Sequence, residues 1–155
     1  MKRHTAVLSL AAALLALFAA SGSAEDKKEE AKFSAKCPVS GADAKKEQHA
    51  SYKDKEVYFC CEKCKAAFEA DNKKFAVKAN HQLVHTKQFV QVKCPLSGGP
   101  LNKEQVVKVG EVEVAFCCDK CKGKTAGAKG DEQLALVFSD EAFKKGFEAP
   151  KEEKK

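Results

Sequence analysis

The sequence predicts an α+β protein of two small tandem modules, each a cysteine-bearing knuckle, a β-hairpin and a helix, behind a removable leader. Three observations predict it. All eight cysteines recur at one offset, Cys37, Cys60, Cys61 and Cys64 being followed 57 positions later by Cys94, Cys117, Cys118 and Cys121. The words around them repeat as well, KCPVSG with KCPLSG and VYFCCEKCK with VAFCCDKCK. A unit this short also buries too little apolar surface to fold comfortably without a disulfide or metal staple.

The leader comes first. Lys2 and Arg3 precede an apolar run over residues 7–20, and Ser21, Gly22, Ser23 and Ala24 offer small residues at a cleavage point ahead of Glu25 and Asp26. Residues 1–24 are therefore expected to be a signal peptide. The run falls short of the roughly 20 residues that span a bilayer, and no cysteine stands at the cleavage point to take a lipid. The mature chain is expected to be exported, periplasmic or secreted, without a membrane span, where thiols are oxidised or metal-bound. Residues 25–35 read as a charged linker, 36–92 as the first module, 93–149 as the second, and 150–155 as a charged tail.

Each module opens on a knuckle. In Cys37-Pro38-Val39-Ser40-Gly41 the proline fixes φ just after the cysteine, and the glycine is free to take positive φ at the exit. A strand is expected from residue 47, turning at 53–55 and returning over 56–59; the second copy has 106–109, a turn at 110–111, and 112–116. Such a hairpin brings Cys60 back beside Cys37.

The period then changes. Residues 62–70 hold good helix formers and set Cys60 and Cys64 four apart, or Cys61 and Cys64 three apart, on one face of a first turn. A helix N-terminus there favours thiolate. Knuckle, hairpin and helix start thus converge three or four sulfurs, the arrangement known as a treble clef. In the second copy Gly123, Gly127 and Gly130 predict a shorter or frayed helix, before an apolar stretch at 133–138 and a closing helix that Ser139 can cap. Phe59, Phe68 and Phe75, with Phe116, Phe138, Phe143 and Phe147, are expected to form compact aromatic cores.

Composition excludes several functions. Removing Lys2 and Arg3 with the leader leaves 26 basic residues against 22 acidic ones, a modest net charge of +4, and Arg3 is the only arginine. The mature chain thus lacks the planar donor fork that reads guanine edges and phosphates, and its lysines alternate with glutamates, so no nucleic acid is expected as a partner. No paired His and Glu of a metal hydrolase, nucleophile elbow or phosphate loop is present, and the protein is not expected to be an enzyme. Glu56 and Glu113 recur, but they alternate with apolar residues and read as the solvent face of the return strand.

The spacing Cys-x22-Cys-x3-Cys, met by Cys37, Cys60 and Cys64 and again by Cys94, Cys117 and Cys121, resembles the TRASH domain. That family is a small cysteine module implied in heavy-metal sensing, trafficking and resistance. Pro38-Val39-Ser40-Gly41 and Tyr58-Phe59-Cys60 resemble the YHS domain, which opens with Asp-Pro-Val-Cys-Gly-Met and runs an aromatic strand into Phe-Cys-Ser. The resemblance covers both repeats and implies metal binding. The chain departs from YHS at Cys37 and Cys94, where that family has aspartate, and at Ser40 and Ser97, where it and a zinc knuckle have cysteine. Ala42 and Gly99 replace the family methionine, and Cys61 and Cys118 replace its serine.

The candidate metal ligands are therefore Cys37, Cys60, Cys61, Cys64, Cys94, Cys117, Cys118 and Cys121. Adjacent cysteines seldom both turn toward one ion, so three thiolates per site are easier to assemble than four. Three sulfurs suit Cu(I), or zinc with a fourth ligand from outside the repeat, so zinc or copper is the expected ion. The expected partners are that ion and another metal-handling protein, such as a membrane transporter. Histidine is no shared ligand, since His49, His81 and His85 correspond to Val106, Phe138 and Ala142. His81 and His85 form an i, i+4 pair that can grip a metal on a helix, yet they read as surface histidines on the connector. Lys63, Lys65, Lys120 and Lys122 either lower thiol pKa values or form a solvated face. Two other readings stay open: an interaction module stapled by four disulfides, and a CxxC oxidoreductase using Cys61 with Cys64 and Cys118 with Cys121, which lacks the usual βαβ context.

Overall fold

Proline after the cysteine and glycine at the exit fold both knuckles alike in the computed structural model, which describes residues 33–151. The expected leader at 1–24, most of the charged linker and the end of the tail lie outside the described residues. The Cys37 N–H donates to the Ala42 carbonyl at 2.8 Å and the Gly41 N–H to the Cys37 carbonyl at 2.8 Å; Cys94 and Gly98 repeat these bonds at 2.9 and 2.7 Å. Gly41 and Gly98 sit at φ 75° and 74°, where a side chain would be strained.

The architecture is α+β. In repeat one β1 (Lys45–Tyr52) pairs antiparallel with β2 (Lys55–Phe59), Tyr52 facing Lys55. The strand starts earlier than expected because pairing resumes beyond a register slip between Lys45 and His49. Helix α1 (Glu62–Ala70) follows as the helix formers predict. A 3₁₀ turn at Lys73–Phe75 then leads to α2 (Ala76–His85), and the short β3 (Val90–Gln91) links the repeats. Repeat two builds β4 (Asn102–Val109) against β5 (Val112–Phe116), with the same slip between Asn102 and Val106. Then come α3 (Asp119–Gly127), α4 (Gly130–Phe138), α5 (Asp140–Gly146) and β6 (Phe147–Glu148), which pairs with β3.

Two local expectations change. Helix α3 is nine residues long, the same as α1, despite its glycines. Tertiary contacts outweigh propensity there: Thr125 is fully buried, and Gln133 of the next helix donates to the Thr125 carbonyl at 3.1 Å. Ser139 does precede α5, but its side chain makes no capping bond; its carbonyl accepts the Phe143 N–H at 2.8 Å.

Buried residues of both repeats, Val57, Phe59 and Phe68 with Val114, Phe116, Phe138 and Phe143 among them, join one cluster. Helix α2 lies at its centre. The His81 ring packs edge-on against Phe138 at 5.0 Å, and Phe138 is its own counterpart at the 57-residue offset, as happens at the axis of an isologous pair. His81 is only 8% exposed, which corrects the surface reading. Beside it Asn80 donates to the Phe138 carbonyl at 2.9 Å and to Asp140 at 3.1 Å, while Lys53 donates to Asn80 at 2.9 Å and Asp140 at 2.7 Å. This network ties the first hairpin turn to repeat two.

Glutamines cover the free strand edges. Gln82 accepts the Tyr58 N–H at 2.7 Å and donates to the Tyr58 carbonyl at 2.8 Å. Gln91 does the same for Ala115, the counterpart of Tyr58, at 2.9 and 2.7 Å. With these edges held, Cys60 and Cys117 leave β2 and β5 at fixed positions. No helix among the described residues is long and apolar enough to cross a membrane.

Candidate metal centres

Three elements deliver one sulfur each. Cys37 comes from the buried knuckle, Cys60 from the end of β2, and Cys64 from the first turn of α1; Cys94, Cys117 and Cys121 do so in repeat two. Within each triad the sulfurs all lie within 4.8 Å of one another. Cys60 and Cys64 are 3.6 Å apart and Cys117 and Cys121 3.7 Å. Two thiolates on one ion at the usual metal–sulfur length of about 2.3 Å stand about 3.8–4.0 Å apart. The thiols are thus grouped almost as an ion would hold them, and the all-sulfur donor set suits a thiophilic metal.

The fourth cysteine of each repeat stays outside its triad. Cys61 and Cys118 precede the helices in extended backbone, at φ −161° and −162°, and are exposed. Their sulfurs remain near, Cys61 3.7 Å from Cys60 and Cys118 3.6 Å from Cys117. All eight cysteines carry free thiols. The eight candidate ligands therefore divide into six grouped in two triads and two beside them.

Sequence reasoning passed over two further residues. Ser40 Oγ lies 3.3 Å from Cys60 Sγ, and Ser97 Oγ 3.1 Å from Cys117 Sγ. The Ala42 and Gly99 N–H groups donate to these oxygens at 3.3 and 3.2 Å, which frees each hydroxyl hydrogen for sulfur. The serine that replaces a knuckle cysteine thus brings its hydroxyl within hydrogen-bonding reach of a triad sulfur. Its recurrence in both copies was the available signal.

Protons are shared unevenly. Burial opposes ionisation of Cys37, but bonds from the Ser40 hydroxyl and the backbone N–H groups of Ser40, Cys60 and Val39 outweigh it and hold its pKa down to about 7. Burial, the Cys60 and Cys61 thiols and the charge on Cys37 push Cys64 up to about 12. Cys94 and Cys121 repeat this pattern, at about 7 and about 12. Cys61 and Cys118 are lowered, first by the N–H groups of Cys64 and Cys121 and then by neighbouring thiols. Lys63 and Lys120 contribute through their backbone N–H groups, and lysine charge is not among the causes. The knuckle sulfur therefore ionises before the helix sulfur of its triad, and an arriving ion displaces protons that remain.

Among the described residues no histidine joins either triad. His81 Nε2 is buried without a hydrogen bond, 3.5 Å from the Glu111 carboxylate, and burial lowers its pKa. Comparison of the chain with protein-family profiles, curated proteins and solved structures finds no match in any of the three. Two preformed cysteine triads compatible with metal binding are what the fold and the site define.

Proposed function

We propose that the mature protein is an exported, non-enzymatic metal carrier of two tandem treble-clef modules akin to TRASH and YHS domains, which binds zinc or copper and passes it to another metal-handling protein. One observation carries this reading: three thiols from three different elements meet within 4.8 Å, twice, with the same residues in both repeats. Cu(I) is satisfied by three sulfurs, whereas zinc takes a fourth ligand supplied by solvent or a partner. Cys37, Cys60 and Cys64, and Cys94, Cys117 and Cys121, are the ligands. Ser40 and Ser97 place hydroxyls among the two sets of sulfurs and help to hold Cys37 and Cys94 ionised.

Native mass spectrometry of protein purified without reductant or chelator, paired with thiol alkylation after denaturation, tests it. The expected mass gain is two ions per chain, falling to one in Cys60→Ser and again to one in Cys117→Ser. A metal-free chain that is eight protons light and resists alkylation would overturn the reading in favour of four disulfides.

A further inference from the structure

We propose that Cys61 and Cys118 are handover thiols, through which each site passes its ion between the buried triad and an incoming thiol or chelator. The inference deepens the metal-carrier reading and rests on it. In both repeats a cysteine stands outside the triad with the same extended backbone, the same exposure and nearly the same approach to its neighbour, 3.7 and 3.6 Å. A residue needed only to fill space would not require sulfur at an exposed position twice.

The geometry gives that sulfur a task. Cys61 meets the Cys60 thiol at 3.7 Å, and Cys60 in turn meets the Cys64 thiol at 3.6 Å, so Cys60 is shared between the triad and the exposed sulfur. The triad ends inward on Cys37, which is 1% exposed, whereas Cys61 beside Cys60 is exposed. Exchanging one for the other carries the ion from buried to accessible while two sulfurs keep hold of it. In that step the Cys61 sulfur forms a metal bond and gives up its proton, the bond to Cys37 breaks, and the Cys37 thiolate takes up a proton. The ion keeps its charge and oxidation state. Cys118, Cys117, Cys121 and Cys94 allow the same exchange in repeat two.

The test compares wild type with the Cys61→Ser/Cys118→Ser double variant, each loaded with Cu(I) and separately with Zn(II). Transfer of Cu(I) to bathocuproine disulfonate and of Zn(II) to pyridylazoresorcinol is followed by stopped flow, and affinity by equilibrium competition. The double variant is expected to keep two ions and an affinity close to wild type, while transfer slows about tenfold or more. In loaded wild type, iodoacetamide is expected to modify Cys61 and Cys118 rapidly and spare the other six. Transfer at the wild-type rate, or an affinity collapse showing the pair to be resident ligands, would overturn the proposal. Failure of the wild-type chain to hold either ion would instead overturn the reading beneath it.

Discussion

Repeat one and repeat two place their sulfurs almost identically and differ in what surrounds them. At the knuckle exit repeat one has Ala42 and repeat two Gly99, where a Cβ would lie 3.5 Å from Cys117 Cβ and 4.0 Å from its sulfur. Cys121 also borders an open groove of about 490 Å³ with Leu96, Ser97, Lys120 and Lys124; Lys124 corresponds to Ala67 in repeat one. The hairpin turns diverge in the same way. Lys53 and Gly110 are counterparts with the same left-handed backbone, φ 52° and 60°, but Lys53 reaches out to Asn80 and Asp140 whereas Gly110 lies against His81. Local geometry fixes the donor sets, so divergence between the copies falls on access to the ion and on the joint between repeats.

The joint gives the largest expected effect. A Cβ on Gly110 would come within 2.6 Å of His81 Nε2, besides forcing a side chain into positive φ. Gly110→Ala is expected to destabilise the protein by about 2–3 kcal/mol in urea unfolding, combining left-handed strain with overpacking. Lys53→Ala, which already bears a Cβ at that backbone geometry and loses the bonds to Asn80 and Asp140, is expected to cost about 1–2 kcal/mol. In a His81→Ala background the Gly110→Ala cost should fall to about 1 kcal/mol. An unchanged cost in that background would show that the turn strain alone, and not the contact between repeats, distinguishes the two turns.

That joint is also where sequence reading had least to work with. Cysteine spacing, the proline and glycine of the knuckle and the change of period at Glu62 are local signals, and they located the sulfurs, both hairpins and α1. Helix α2 is different: its buried face includes Asn80, His81 and Gln82 beside Ala79 and Leu83, so its inner surface reads as polar. The amides of Asn80 and Gln82 are satisfied by Phe138, Asp140, Tyr58 and Lys36, whose proximity no local pattern announces. Glu111 near His81 is a carboxylate supplied by the other repeat, invisible at the level of sequence neighbours. For α3 the glycines misled because its Thr125 is fully buried and Gln133 of α4 bonds to it from outside.

Acidity should instead reveal the likeness of the two sites. Cys37 and Cys94 drop from an ordinary value of 9.0 to about 7, so in the reduced, metal-free protein the unfolded chain binds more protons than the native one between these limits. Stability therefore climbs as pH rises from 7 to 9 and is lost as pH falls through about 7. Cys64 and Cys121 are raised to about 12, so above pH 9 the native chain holds protons that the unfolded chain has released, and stability declines again. A maximum near pH 9 is expected from urea midpoints measured across that range. Cys37→Ser and Cys94→Ser should each shrink the rising limb by a similar amount, with lowered Cys61 and Cys118 supplying the rest. A limb carried wholly by one of them would mean that the repeats differ in their hydrogen bonding to sulfur as well as in access.

Access itself predicts the smallest effect, in the rate of ion release. With Gly99 in place of alanine and an open groove beside Cys121, repeat two should deliver its ion to a chelator faster, giving two phases a few-fold apart. Gly99→Ala should slow the fast phase and Ala42→Gly should quicken the slow one. The new methyl at position 99 would meet Ser97 Oγ at 3.3 Å, so that hydroxyl must shift by a few tenths of an ångström. Repeat one shows where it can go: with Ala42 present, Ser40 stands 3.3 Å from Cys60, against 3.1 Å for Ser97 and Cys117. The substitution should therefore leave the triad able to bind and change only the approach to it. Phases that stay apart after the exchange of Ala42 and Gly99 would assign the difference to the groove and its lysines, which Lys124→Ala would then close.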